Sequence, residues 1–213
     1  MLSLSANYVS AVGDVGDPGQ GGIGNRQSQG AGTLQLAYAK ERWAVAAVYS
    51  RLQANTDIPG GTPFVINDWL AIGSGQINAY ALSGYWQPLR TGWMPAIRAG
   101  WGSSAVAGTR PVPAGSLSAT QSWFVGLEWA NAFQEGNALG LALGQPVFAS
   151  DLSDGRTPHD GNYAFELWYK VQATDHISVT PAIFFLSRPE GQLTPSVQSY
   201  TNLGALVKTT FQF

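Results

Sequence analysis

Apolar and polar residues alternate with a period of two along most of the chain, a pattern typical of strands with one apolar and one polar face. The alternation is clearest in the segments 93–101, 120–129, 138–144 and 163–171. Apolar residues at helical spacing are almost absent. The pattern predicts ten strands, at about 2–12, 31–39, 43–52, 76–86, 93–101, 118–130, 137–145, 162–172, 176–187 and 201–213.

Aromatic residues stand at the ends of the apolar face of several predicted strands, and the opposite face is small and polar. The pairs are Trp93 and Trp101, Trp123 and Trp129, and Tyr163 and Tyr169. Tilted strands of this length with aromatic ends match a bilayer crossing between two aromatic girdles. The alternative is a large soluble β-sandwich with Trp-rich edges, such as a carbohydrate-binding module.

The connections between the predicted strands alternate in length. Short ones fall at 40–42, 87–92, 131–136 and 173–175, and long ones at about 13–30, 53–75, 102–117, 146–161 and 188–200. Outer-membrane barrels have short periplasmic turns and long exterior loops. The spacing therefore predicts an all-β, antiparallel, up-and-down transmembrane barrel in the outer membrane of a bacterium, surrounded by lipid.

The last predicted strand is amphipathic to its end. One face carries Leu203, Ala205, Val207, Thr209, Phe211 and Phe213. An alternating apolar strand that stops on Phe resembles the recognition signal of bacterial outer-membrane barrels. Phe211 and Phe213 are therefore predicted to engage the barrel-assembly machinery.

Composition excludes several classes of function. Charged residues are 11% of the chain, against roughly 25% in an ordinary soluble domain. A net charge of -2 does not suit nucleic-acid binding. The absence of Cys excludes disulfides, zinc–thiolate sites and thiol catalysis. No apolar run reaches the length of a transmembrane helix, and no signal peptide follows Met1.

Two loop motifs suggest chemistry that the context does not favour. Gly19, Gly21 and Gly24 satisfy G-x-G-x-x-G, but no helix-forming segment follows, so an exterior loop is favoured over a dinucleotide site. The segment 150–161 contains Asp151, Asp154, Asp160 and His159. Its spacing fits no EF-hand, and a solvated turn is favoured over a weak calcium site.

Several charged and aromatic residues are predicted on the inward face of the strands. These candidate pore-lining residues are Arg98, Glu128, Glu166, Trp168, Lys170, Phe184 and Lys208, with Arg188 near the outer mouth. The aromatic rings either form a sugar path or pack against an inserted loop. A catalytic pairing of Glu128 with Glu166 is the enzymatic alternative, although charges that tune selectivity are the simpler account. Neither an enzyme nor a cofactor is predicted.

Two prolines fall inside predicted strands. Proline removes a donor from the hydrogen-bonded ladder and is confined to edges, bulges and strand starts. Pro95 and Pro181 therefore each predict a bulge or a missing bond in their own strand.

The segment 162–191 resembles the C-terminal part of the carbohydrate-selective (OprB-type) porins, in particular the cyanobacterial branch that carries an S-layer-homology domain and includes iron-uptake porins. The resemblance is carried by Glu166, Trp168, Tyr169, Asp175, Ile177, Thr180, Pro181, Arg188, Pro189 and Gly191. The segment 136–146 also resembles a strand of this family.

The resemblance implies an outer-membrane porin, trimeric and of roughly sixteen strands, that lets sugars or inorganic ions diffuse passively. Only ten strands are predicted here. Residues 1–213 are therefore expected to form one barrel domain that is the C-terminal part of a longer protein. The alternative is a complete but narrow ten-stranded barrel.

Overall fold

A computed structural model describes residues 1–25, 28–53, 60–71, 75–90, 92–107, 113–195 and 200–212. Ten strands and one α-helix make up the described fold, together with a short 3₁₀ turn at Gly191–Leu193. The elements are β1 (Leu2–Ser10), β2 (Gly30–Ala39), β3 (Trp43–Gln53), α1 (Pro63–Ala71), β4 (Gln76–Trp86), β5 (Ala96–Ala107), β6 (Leu117–Ala130), β7 (Ala138–Leu152), β8 (Tyr163–Thr174), β9 (Ile177–Ser187) and β10 (Thr201–Phe211).

The strands form a single antiparallel sheet in which each strand pairs with its neighbours in sequence, in the order β1 to β10. The predicted all-β, up-and-down arrangement is confirmed. β1 and β10 are the two edges of the described sheet and do not pair with each other there. Helix α1 was not predicted. Among the described residues, no helix has the length and apolarity to cross a bilayer.

The fifth strand differs most from its prediction. It begins at Ala96 and continues to Ala107, so Pro95 precedes the strand and the bulge predicted there is wrong. Trp93 lies in the preceding connection as well. The connections 87–95 and 108–116 are consequently equal in length, and the prediction that short and long connections alternate throughout fails at this pair.

Pro181 interrupts the pairing of β8 with β9. The two strands pair up to Trp168–Ala182 and again from Val171–Val179, and in this described part of the sheet Pro181 has no partner in β8. The missing bond predicted for this strand is confirmed, because proline has no N–H to donate.

The sheet has one apolar and one polar face, since paired residues share a face and successive residues alternate. The apolar face leaves large side chains uncovered: Leu4 is 69% exposed, Leu203 79% and Val207 68%. The register places small and polar residues on the polar face, among them Ser5, Asn7, Thr33, Gln35, Ser50, Ser83, Ser104, Thr120, Ser122 and Thr180.

The buried hydrophobic core is small and lies beneath helix α1. Val65 of the helix packs with Ile77, Leu117 and Ala149, all fully or almost fully buried. Ile77 shares the polar face with Ser83, six residues farther along the same strand. Helix α1 therefore covers one end of the polar face.

Candidate functional site on the polar face

Five predicted pore-lining charges lie on the polar face of β5 to β10. The register aligns Arg98 with Gly126, Glu128 with Gly140, and Glu166 with Phe184. Lys170 is opposite Ala138, and Lys208 is opposite Thr180. The predicted inward orientation thus matches a common face of the sheet.

Arg98 and Glu128 form an ion pair across β5 and β6. The Arg98 Nη2 to Glu128 Oε2 distance is 4.0 Å, and the side chains are 66% and 36% exposed. Exposed pairs contribute little to stability, typically about 0–1 kcal/mol. The main effect of the pair is to place one positive and one negative charge side by side on the polar face.

Glu128 and Glu166 are not neighbours. They lie on β6 and β8 with β7 between them, and the register offsets them by two residues. Strand spacing and rise put their Cα atoms about 12 Å apart. The two carboxylates therefore do not belong to a directly paired position of adjacent strands.

Three aromatic rings on the polar face each lie over a glycine of a neighbouring strand. Trp168 covers Gly140, Phe184 covers Gly204, and Phe124 covers Gly100, so closely that a Cβ at any of these glycines would overlap the ring. The rings therefore lie along the wall and turn a flat face away from it. Phe124 was not predicted as a pore-lining residue. Its position over Gly100 follows only from the pairing of β5 with β6, which the sequence does not give.

A cavity of about 680 Å³ opens on this part of the polar face. Phe124, Phe184 and Glu166 line it, together with Gly60 from the segment before α1. Trp101, Trp123 and Phe165 also contribute to the lining, so the cavity is largely aromatic and apolar, with one carboxylate. The residues packed under α1 include neither Trp168 nor Phe184, so the inserted-loop interpretation of these two rings receives no support from the described contacts.

Arg188 lies outside the strands, at the loop end of the sheet. Its Nη2 donates hydrogen bonds to the carbonyl oxygens of His159 (2.7 Å) and Gly191 (3.1 Å). The side chain therefore joins two loops.

The predicted girdle residues lie on or beside the apolar face. Trp101 is paired directly with Trp123. Both lie in the middle of their strands, not at the ends where the sequence placed them, whereas Trp129 is next to the last residue of β6. The Nε1 of Trp129 donates to the carbonyl oxygen of Trp93 (2.8 Å). Tyr163 is the first residue of β8, whereas Tyr169 lies in the middle of that strand.

Two further aromatic pairs on the apolar face were missed. The ring centroids of Tyr38 and Trp43 are 5.4 Å apart, and those of Tyr49 and Tyr80 are 5.3 Å apart. The six-residue spacing of Trp43 and Tyr49 repeats the spacing of Trp123 and Trp129, and this repeat was the available signal.

The C-terminal strand carries its apolar side chains as predicted. Phe211 is 58% exposed on the apolar face, opposite Ile177. Phe213 lies outside the described residues. The role of both residues in assembly stays a prediction.

The loop motifs have different outcomes. The Gly19–Gly24 segment lies between β1 and β2, in turns, and the described part of that connection contains no helix. Asp160, however, is fully buried, so the prediction of a solvated turn is wrong for this residue. No group of metal-ligating side chains was found among the described residues.

Asp154 is the exposed carboxylate of the same loop. Its Oδ2 accepts a hydrogen bond from Arg156 Nε at 2.8 Å, and this hydrogen bond lowers the pKa of Asp154 below its usual value. Asp154 and Asp160 are therefore six residues apart but in opposite environments.

A single up-and-down antiparallel sheet with an exposed apolar face and a charged, polar opposite face is typical of the wall of a porin-type protein. A comparison with known protein families supports this class: residues 98–213 match the carbohydrate-selective porin, OprB family. The chain belongs to this family, whose members are outer-membrane channels.

A curated relative comes from the cyanobacterium Synechocystis sp., where it is named uncharacterized protein sll0772. It is 30% identical over 235 residues, an alignment that covers 100% of this chain and 41% of the relative. The chain therefore spans less than half the length of that protein. The organism agrees with the cyanobacterial branch indicated by the sequence.

Proposed function

We propose that residues 1–213 form, as one domain, part of the wall of an outer-membrane porin through which small hydrophilic solutes diffuse. The observation that carries the proposal is the two-faced sheet. Exposing apolar surface to water costs roughly 25 cal/mol per Å², and the apolar face leaves residues such as Leu4 and Leu203 largely uncovered. Lipid removes this cost, and the polar face then lines the aqueous path.

The edges of the sheet must be paired in the assembled barrel. Each unpaired backbone group in lipid costs several kcal/mol, and β1 and β10 are the edges of the described sheet. We propose that further strands complete the barrel and that three copies assemble, as the family resemblance implies.

Carbohydrates are the proposed solute class. Phe124 and Phe184 offer flat apolar faces to the cavity, and the apolar face of a sugar ring stacks on such a surface. The neighbouring Arg98–Glu128 pair balances its own charge, which disfavours strong selection of ions by sign. Passage breaks no bond, so the proposed mechanism is selection by pore width, wall charge and aromatic contact.

The test is single-channel recording of the intact protein in a planar bilayer, with and without maltose. Discrete current steps that maltose reduces support the proposal. Steps that no sugar reduces would overturn the carbohydrate assignment and favour inorganic ions. A protein that gives no steps and stays folded and monodisperse without detergent would overturn the porin proposal in favour of a soluble binding module.

A further inference from the structure

Three loops meet at one buried carboxylate at the end of the sheet. Asp160 belongs to the connection between β7 and β8 and is fully buried. The other two loops are the segment that contains α1 and the connection between β9 and β10. A buried carboxylate is costly unless its oxygens receive hydrogen bonds, so the partners of Asp160 define what it holds in place.

Both carboxylate oxygens of Asp160 accept hydrogen bonds. Its Oδ2 accepts hydrogen bonds from Thr62 Oγ1 (2.6 Å) and from the backbone N–H of Ala149 (2.7 Å). Its Oδ1 accepts from the backbone N–H of Gln192 (2.9 Å). One side chain therefore joins the start of α1 to β7 and to the 3₁₀ turn.

Thr62 is the point at which α1 is attached. Its Oγ1 accepts a hydrogen bond from the N–H of Val65 (3.3 Å), as an N-cap residue does. Its own N–H donates to the carbonyl oxygen of Val147 (3.0 Å). The hydroxyl thus caps the helix and donates to Asp160 at the same time, which links the helix end to the wall.

The surroundings of Asp160 leave little freedom. Gly191 has a φ of 56° and lies so close to Asp160 that a Cβ there would overlap the carboxylate. Next to Asp160, Arg188 donates hydrogen bonds to the carbonyl oxygens of His159 and Gly191, and so joins the same two loops. Positive φ and close approach both require glycine at position 191.

The attached segment borders the proposed solute path. Val65 packs on the polar face with Ile77, Leu117 and Ala149, and Gly60 lines the cavity that also contains Phe184. A displacement of this segment would therefore change the width of the path at its loop end.

We propose that Asp160 is a positioning residue that locks the segment 60–71 to the wall as a fixed constriction of the pore. The inference rests on the proposed porin function, because a constriction requires a path to narrow. Asp160 acts through Thr62, Ala149 and Gln192 and need not touch the solute.

The first test measures the single-channel conductance of the intact protein after removal of the hydrogen bond between Thr62 and Asp160. Asp160→Ala and Thr62→Val are each expected to raise conductance by about twofold and to weaken block by maltose, because pore width controls both. The matched control is Asp154→Ala, which removes an exposed carboxylate of the same loop and should leave both unchanged. Conductance and block equal to wild type in both lock variants would overturn the inference.

A second test does not depend on channel activity and measures the accessibility of a buried residue of α1. Val65→Cys introduces the sole thiol of a chain without cysteine at a fully buried position. A charged thiol reagent should label it slowly, and about tenfold faster when Asp160→Ala is added, because release of the segment opens the site. Addition of Asp154→Ala should not change the rate. Equal labelling rates in all three backgrounds would overturn the lock even if no current is seen.

A cysteine pair keeps the test valid if Asp160→Ala does not fold. Thr62→Cys with Asp160→Cys can be oxidised and reduced in one preparation. The oxidised form should conduct like wild type and the reduced form more strongly. If wild type itself conducts nothing while the labelling rates still separate, the porin proposal fails and the constriction fails with it, but the attachment of segment 60–71 to the sheet by Asp160 stands. Identical currents in the two redox states, with the disulfide confirmed, would overturn the lock.

Discussion

The indole of Trp168 in β8 lies over Gly140, its directly paired neighbour in β7, and a Cβ at Gly140 would overlap the ring. Phe184 and Gly204 repeat the arrangement between β9 and β10. Each ring thus requires a glycine at one position of the adjacent strand. Since a one-residue slip would move every side chain to the other face, these pairs also help to fix the register of the wall.

Gly140→Ala should destabilise the protein. The new methyl group meets Trp168 and forces the ring off the wall, and such overpacking costs about 1–3 kcal/mol. Urea unfolding in detergent, followed by tryptophan fluorescence, measures the change. Gly126→Ala is the control, because its Cβ would have no neighbour closer than 3.9 Å. Equal stability of the two variants would show that the ring moves aside freely.

Phe184→Ala should weaken block by sugars. Loss of one stacking surface is expected to raise the half-blocking maltose concentration by about tenfold, or about 1.4 kcal/mol. The comparison is Phe185→Ala, the next residue, which removes a ring from the apolar face and should leave block unchanged. A similar loss of block in both variants would place the sugar site elsewhere.

Glu128→Gln combined with Glu166→Gln should shift ion selectivity toward anions. Arg98, Lys170 and Lys208 remain on the polar face, so the net charge of the path becomes more positive. The reversal potential in a KCl gradient reports the shift, which should shrink at high salt because of screening. Conductance should persist. An unchanged reversal potential at low salt would mean that these carboxylates do not line the path.

Phe211→Ala should reduce the amount of folded protein in the outer membrane. Phe211 presents its ring on the apolar face at the end of β10, and its loss removes about 2 kcal/mol of apolar burial as well as the assembly signal. Heat-modifiable mobility of the membrane fraction measures folded protein. Gln212→Ala serves as the control, since the N–H that donates to His176 is in the backbone and is kept. Equal folded amounts would contradict a role for Phe211.

The period-two pattern was sufficient to locate most strands of the sheet. Strands such as β4 and β8 were placed within two residues of their ends, because alternation is a local property and each strand carries its own two faces. The opposite faces of Glu166 and Leu167 follow from the same alternation. In the fifth strand the alternation continues into Trp93 and Pro95, although both precede the strand. Residues of a turn can match a period of two by chance.

The sequence by itself therefore determined the class of fold, the two faces of each strand, the family resemblance and the set of charges on the polar face. The tertiary structure decided which of those residues are neighbours. Strand register decides that Trp168 covers Gly140 and that Glu128 and Glu166 are separated by a strand. It also decides the environment of Asp160, whose partners Thr62 and Gln192 are 98 and 32 residues away. Pairing between distant segments depends on the free energy of the whole sheet. The residues next to Asp160 in the sequence therefore do not predict its hydrogen-bond partners.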